Sequence, residues 1–237
     1  MPADAAIAMR DLDLGWGGRV VLSGVSGAFE RGSLTAVVGP NGAGKSTLIQ
    51  ALAGALQPLA GSIRVAPGLE SSIGWLPQAS RLDRSFPVRV IDLVSLGAWR
   101  RVGAWQRLPD AERERAMQCL ARVGMAERAR NLIGELSGGQ LQRALFARLM
   151  MQDAAVMLLD EPFAAIDEAT SALLMDMVRA WHEAGRTVIA VLHDLDLVRS
   201  RFPAAVLLAG RVLAWGPPAQ ALAEDRLQRA RAAVASW

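Results

Sequence analysis

Lys45 is the only lysine in a chain of 237 residues that otherwise places arginine, 25 times, wherever it needs a cation. It closes the segment Gly39-Pro40-Asn41-Gly42-Ala43-Gly44-Lys45-Ser46, which has the spacing G-x-x-x-x-G-K-[ST]. The β-branched, apolar run Leu34–Val38 before it predicts a strand, and the apolar-periodic run after it predicts a helix starting near Gly44. In that order the glycines let backbone N–H groups close around an anion, and the helix points its positive end at it. A compact ammonium then reaches between terminal phosphates, which a planar guanidinium does less well. The segment from Gly39 through Thr47 is therefore expected to bind a nucleoside triphosphate, with the Ser46 hydroxyl as a ligand to Mg²⁺. The alternative, a glycine-rich turn before a buried helix, leaves the agreement of motif and flanks unexplained.

A second candidate lies far downstream. The apolar run Ala154-Ala155-Val156-Met157-Leu158-Leu159 has strand length and ends in Asp160-Glu161-Pro162. Two acids at the carboxyl end of a buried strand are costly unless used, and in open α/β sheets ligands bind outside those strand ends. Asp160 is expected to face Mg²⁺ and Glu161 to act as base toward the attacking water. Taken alone, the pair would equally suit a solvated turn; the phosphate loop upstream decides against that.

Between these elements stands Leu136-Ser137-Gly138-Gly139-Gln140, followed by the helically spaced Leu141-Gln142-Arg143-Ala144-Leu145-Phe146. Ser137 and the Gly138 and Gly139 amides at a helix start form a second anion cradle. With this motif the chain resembles the nucleotide-binding domain of the ATP-binding-cassette (ABC) family, along almost its whole length and in motif order. The resemblance implies an α/β fold: a P-loop NTPase core, a mixed sheet flanked by helices, with an N-terminal antiparallel β portion and an inserted α-helical subdomain. It also implies ATP and Mg²⁺ as ligands, and a head-to-tail homodimer in which Ser137, Gly138, Gly139 and Gln140 of one copy close on ATP held by the other. Gln78, in Gly74-Trp75-Leu76-Pro77-Gln78, matches the family's glutamine loop, which contacts Mg²⁺ and water. His193, after the strand-like Thr187–Leu192, matches the histidine that senses the γ-phosphate, and Asp167 matches the loop that communicates between the two ATP sites. Asp167 would also serve as an N-cap. The chain has no tyrosine, and Trp16 in Leu14-Gly15-Trp16-Gly17-Gly18 occupies the place where the family stacks an aromatic ring on adenine. The run Phe163-Ala164-Ala165 departs from the commoner serine-containing form at the intersubunit contact.

The elements that must hold these residues divide as one nucleotide-binding domain over 1–237, with 1–79 and 153–237 forming the core and 80–152 the helical subdomain. Hydrophobic residues make up 52% and charged ones 21%, which predicts a packed, soluble protein and excludes a disordered tail. The uncharged run Ser46–Ile63 contains Gln50, Gln57 and Pro58 and is not expected to span a membrane. A single cysteine, Cys119, permits no internal disulfide, and the acidic N-terminal stretch does not read as a signal peptide, so a reducing cytoplasm fits. A net charge of only +3 does not demand nucleic acid as a partner. In the insertion, Arg81, Arg84, Arg89, Arg100, Arg101 and Arg107 alternate with Phe86, Trp99 and Trp105, and Asp110–Val123 reads as an amphipathic helix. His182 reads as a surface residue, and Arg226–Trp237 as a helix with no legible partner.

The resemblance therefore implies the ATPase subunit of a bacterial importer. It would sit peripherally on the cytoplasmic face of the inner membrane, bound to an integral permease and served indirectly by a solute-binding protein. The stretches Phe86–Val94, Gln152-Asp153-Ala154 and His193–Val198 look like the family's zinc/manganese-uptake branch, with iron-chelate and haem importers as the alternative. A soluble clamp on DNA or ribosomes is a different class; such clamps carry coiled coils or tandem cassettes, and no internal repeat is present here. A P-loop kinase is disfavoured by the second anion cradle.

Overall fold

The computed structural model describes residues 4–79, 82–103 and 106–235. Arg81 and Trp105 of the arginine–aromatic stretch, and the last two residues of the tail, lie outside them. In chain order the elements are β1 (Ala5–Trp16), β2 (Arg19–Glu30), β3 (Leu34–Val38), α1 (Lys45–Leu52), β4 (Ala60–Val65), β5 (Ile73–Leu76), α2 (Val90–Ser95), α3 (Trp99–Val102), α4 (Asp110–Arg122) and α5 (Gly138–Gln152). Then follow β6 (Val156–Asp160), α6 (Glu168–Glu183), β7 (Thr187–Val191), α7 (Leu195–Arg201), β8 (Ala204–Leu208), β9 (Val212–Gly216), α8 (Pro218–Ala221) and α9 (Glu224–Ala235). Among the described residues no helix is long and apolar enough to cross a membrane.

The chain forms two compact units. The first comprises residues 1–75, 155–161 and 181–237, the second residues 76–154 and 162–180. Residues 162–180, grouped from sequence with the core, cluster with the helical unit.

The first unit holds both sheets. One is antiparallel, in the order β2-β1-β4, and the other has the order β5-β6-β7-β3-β8-β9. In the second sheet β6, β7, β3 and β8 are neighbours in parallel, and β9 turns back antiparallel on β8. Strands buried on both faces read as continuous apolar runs rather than alternating ones, and β3, β6 and β7 do so: all five residues of each are buried. The antiparallel sheet takes β4 from beyond the phosphate loop, a long-range pairing that no local pattern announces. Its β1–β2 hairpin turns at Gly17-Gly18, both with positive φ, as a two-residue turn matched to strand twist requires. Leu12, Leu14, Leu22, Val25 and Phe29 of this hairpin pack in one core with Leu48, Ile49 and Leu52 of α1 and Leu158, Ile189 and Val206 of the second sheet. Thr187 fastens the strand start: its Oγ1 accepts from the Gly32 N–H at 3.0 Å.

The second unit is helical, with α5 packed against α2 and α4. Ser137 starts α5 through a capping box: its Oγ accepts from the Gln140 N–H at 3.3 Å, and the Ser137 N–H donates to Gln140 Oε1 at 3.0 Å. The amphipathic reading of Asp110–Val123 corresponds to α4, which ends before Gly124 at φ 66°. Phe86 and Trp99 are largely exposed, as are Leu96 and Leu132 to a lesser degree. His182, expected at the surface, is half-buried with its Nδ1 enclosed.

Gln142 is buried on α5, and its Nε2 donates to the Pro162 carbonyl at 2.7 Å. Leu in its place would leave that carbonyl without its donor. Gln142→Leu is expected to destabilise the protein by about 1–3 kcal/mol, read as a lower urea midpoint with an unchanged m-value.

Candidate functional site

Parallel order brings three chain ends together. β6, β7 and β3 lie side by side, with Asp160 opposite Val191 and Val37 opposite Val191 in the ladders. Each then leaves the sheet at the same edge: β3 into the phosphate loop, β6 into Glu161, β7 into His193. The last backbone bonds of the sheet fix their relative heights, Leu192 N–H to Val37 O at 3.0 Å and Glu161 N–H to Val191 O at 3.2 Å. Ligands in such sheets bind outside these strand ends.

In the loop, Gly39, Gly42 and Gly44 all have positive φ. At Gly44 a Cβ would stand 2.4 Å from Leu22 Cγ, so the loop closes directly on the β1–β2 hairpin and only glycine fits. Trp16 ends β1 in that same hairpin, half-exposed, six residues before Leu22. Gly44 precedes the first helical residue, Lys45, so the free N–H groups of α1 face the loop. Asn41 and Ala43 complete the loop, with Ala43 buried and its N–H bonded to Pro40 O. The Lys45 ammonium is buried and donates to the carbonyls of Gly39 and Pro40 at 2.8 and 2.9 Å. Burial pushes its pKa below the ordinary lysine value, opposed by the nearby carboxylates of Glu161 and Asp160.

Asp160 is 0% exposed, and its Oδ1 accepts from the Ser46 hydroxyl at 3.0 Å. Two hard oxygen donors about 3 Å apart suit adjacent positions around Mg²⁺, whose oxygen ligands lie at roughly 2.0–2.1 Å. Ser46 and Asp160 thus fit that ion. Thr47, the next residue, is buried in α1.

Glu161 adopts φ 53°, a left-handed conformation rare for a residue with a side chain and found most often at functional sites. Its Oε1 lies 2.6 Å from His193 Nε2. That distance is within hydrogen-bond reach, the donor being set by the imidazole tautomer. Asp194 supports this arrangement from behind: its Oδ1 caps α7 by accepting from the Asp196 and Leu197 N–H groups at 2.9 and 3.0 Å. Sequence reasoning passed over Asp194, although an acid directly before a helical run is an N-cap pattern.

The remaining candidates lie in the second unit. Gly138 and Gly139 form the first turn of α5, and Ser137 uses its hydroxyl to cap it. A Cβ at Gly139 would lie 3.5 Å from Asp167 Oδ2, and one at Gly138 would lie 3.6 Å from the Ala165 carbonyl. The turn 164–167 therefore passes against the start of α5. Asp167 itself caps α6, accepting from the Thr170 N–H at 2.8 Å and from Thr170 Oγ1 at 2.9 Å, and these bonds hold its carboxyl below the usual range. Gln78, half-buried, follows β5 in this unit. The structure thus brings Gly39–Thr47, Asp160, Glu161 and His193 together in one unit, with Trp16 on the adjoining hairpin. It groups Ser137–Gln140 with Asp167 in the other.

Lys45→Ala removes the one cation placed in the phosphate loop. It is expected to weaken ATP binding at least about tenfold by calorimetry.

Residues 22–164 match the sequence model of a family described as ABC transporter. The manganese transport system ATP-binding protein MntB of Listeria monocytogenes is 36% identical over 224 residues, spanning 93% of each chain. The zinc transport system ATP-binding protein TroB of Treponema pallidum is 37% identical over 229 residues, spanning 95% of this chain and 86% of its own. Among solved structures, an ABC transporter described as of metal-chelate type, in an inward-facing conformation, superposes with a TM-score of 0.85 at 25% identity. That match covers 97% of this chain and 90% of the other. With cbiO1 from Clostridium perfringens, part of the transporter complex cbiONQ, the TM-score is 0.75 at 30% identity over 95% and 94% of the two chains. A glycine-lined loop with a buried lysine, two acids at a parallel strand end and a match over most of the domain lead to one conclusion: the chain belongs to the ABC transporter family and is an ATP-binding subunit that hydrolyses ATP to power transport.

Proposed function

We propose that this subunit energises import of a divalent transition metal, zinc or manganese, through a membrane permease, from the cytoplasmic face of a bacterial inner membrane. The observation that carries the reading is the joint likeness, over nine-tenths of the chain or more, to ATP-binding proteins named for manganese and for zinc transport. Cargo recognition falls to the permease and to a solute-binding protein that delivers the metal to it. The exposed Phe86, Leu96, Trp99 and Leu132 of the helical unit supply an apolar surface on which a permease can dock.

The chemistry is phosphoryl transfer to water. Lys45 and the N–H groups of Gly42 to Ser46 hold the β- and γ-phosphates, and Trp16 stacks on adenine. Ser46 and Asp160 would hold Mg²⁺, with Gln78 as the further ligand that the family's glutamine loop implies, and the ion would neutralise charge on the phosphate oxygens. Glu161 takes a proton from the attacking water as its oxygen bonds to the γ-phosphorus and the bond to the β-phosphate oxygen breaks. His193 holds the Glu161 carboxylate in place at 2.6 Å and its imidazole faces the γ-phosphate. Two copies sandwich two ATP molecules head to tail, with Ser137, Gly138, Gly139 and Gln140 of each closing on the nucleotide of the other and Asp167 joining the two sites. Closure on ATP and reopening after hydrolysis move the permease.

A second reading, import of an iron chelate or haem, is supported by the structural likeness to the metal-chelate type transporter. Reconstitution with the permease in vesicles separates them. ATPase stimulation by zinc- or manganese-loaded binding protein is expected; stimulation by a loaded chelate alone selects the second reading, and stimulation by none overturns both.

Glu161→Gln is expected to lower kcat by at least ~10²-fold and to trap a dimer with ATP on gel filtration. A monomer under ATP, or an unaltered rate, would show that Glu161 is not the base.

A further inference from the structure

In the helical unit, the segment that leads into α2 and the one that leads into α5 are laced together. Backbone bonds run from the Ile133 N–H to the Val88 carbonyl, from the Val90 N–H to that of Asn131 and from the Ile91 N–H to that of Ala129, each at 2.9 Å. Further upstream a Cβ on Gly134 would stand 2.9 Å from the Arg84 carbonyl, so the two backbones touch there and a side chain does not fit without a shift. The Arg84 guanidinium completes the seam by donating to the Leu136 carbonyl. Asp83 shapes the turn that carries Arg84: its Oδ1 accepts from the Ser85 N–H at 2.9 Å and from the Ser85 hydroxyl at 2.6 Å.

The peptide that Arg84 holds is the one that enters the second anion cradle. Its carbonyl belongs to Leu136, which is buried, and its N–H to Ser137, which donates to Gln140 Oε1 at 3.0 Å in the capping box. A peptide unit is planar, so a bond at each end fixes how it is turned. Leu136 and Ser137 are both extended, with ψ 143° and 166°, and the backbone ladder of α5 starts after them, with the Leu141 N–H on the Ser137 carbonyl at 2.9 Å. The Leu136 carbonyl takes its bond from Arg84 instead, a charged donor whose hydrogen bonds are about twice as strong as neutral ones. Two residues beyond Arg84, Phe86 is 65% exposed, and the Val88 N–H bonds back to the Phe86 carbonyl at 2.8 Å across Pro87, which holds the segment in a tight turn.

We propose that Arg84 is a positioning residue for the second anion cradle. It ties the Leu136–Ser137 peptide to the Phe86 segment, and so sets where Ser137, Gly138 and Gly139 stand when they close on the ATP of the other copy. The proposal rests on the sandwich of two copies described above.

The test uses the full chain in a Glu161→Gln background, where ATP holds the dimer, and adds Arg84→Ala, Arg84→Met, Arg84→Lys or Arg89→Ala. Dimer association with MgATP is measured by sedimentation velocity, and ATP binding to the monomer by equilibrium dialysis at protein concentrations too low for association. A dimer contains two cradles, so a loss of about threefold at each, the size of one hydrogen bond, lowers association about tenfold. Arg84→Ala is expected to show that loss, and so is Arg84→Met, which keeps the aliphatic stem without a donor. Arg84→Lys, which keeps a charged donor, is expected to associate several-fold better than either. ATP affinity of the monomer is expected to stay within about twofold, because Lys45 and its loop belong to the other unit. Arg89→Ala, which removes the same charge from the same segment, is expected to leave association unchanged. Unchanged association in Arg84→Ala, parental association in Arg84→Met, or no gain in Arg84→Lys over Arg84→Met would overturn the proposal. An equal loss in Arg89→Ala would overturn it in favour of surface charge. A fall in monomer ATP affinity as large as the fall in association would overturn it too, since the effect would then lie on the chain's own loop. Should Arg84→Ala fail to fold, Arg84→Met carries the same criteria. A Glu161→Gln parent that stays monomeric under MgATP would strike the sandwich itself and the role of Arg84 with it, and is distinguishable because that variant reports it with Arg84 intact.

Discussion

The parallel alignment of β6, β7 and β3 is the constraint on which the phosphate end of this protein depends. Because the three strands run the same way and are hydrogen-bonded in register, their carboxyl ends stop at one edge and deliver a loop, an acid pair and a histidine to the same place. A residue of slip in any of them would turn its side chains to the other face of the sheet. All five residues of each strand are buried, so both faces of the sheet are covered there.

Charge burial is tolerated at that edge because each charged group has a counterpart. Lys45 is desolvated, but two carbonyls and two nearby carboxylates favour its charged form. Asp160 sits wholly inside, but its Oδ1 has the Ser46 hydroxyl. Glu161 pays for its left-handed backbone with its contact to His193 and its bond to the Val191 carbonyl. The result is a strand edge whose buried charged groups already hold polar partners.

The helical unit is organised differently. Its start signals are local: a capping box at Ser137 and Gln140 and an aspartate cap at Asp167. A Cβ at Gly138 or Gly139 would stand at ordinary contact distance from the turn 164–167, so packing alone does not demand glycine at either position.

What the sequence determined by itself was whatever depends on near neighbours in the chain. The spacing from Gly39 to Ser46, the acids ending an apolar run at Asp160 and Glu161, and the serine-glycine start of α5 are all legible, because a loop, a strand end and a cap are each made from a few consecutive residues. The extent of α4 followed from apolar periodicity in the same way. Only the tertiary structure decided which distant pieces meet. The joining of β4 to the N-terminal hairpin, Leu22 closing on Gly44, the membership of residues 162–180 in the helical unit and the partial burial of His182 carry no local signature. The physical reason is that such contacts arise from burial, which is non-directional and sets no spacing along the chain, whereas caps, turns and phosphate loops are directional hydrogen-bonded devices that do.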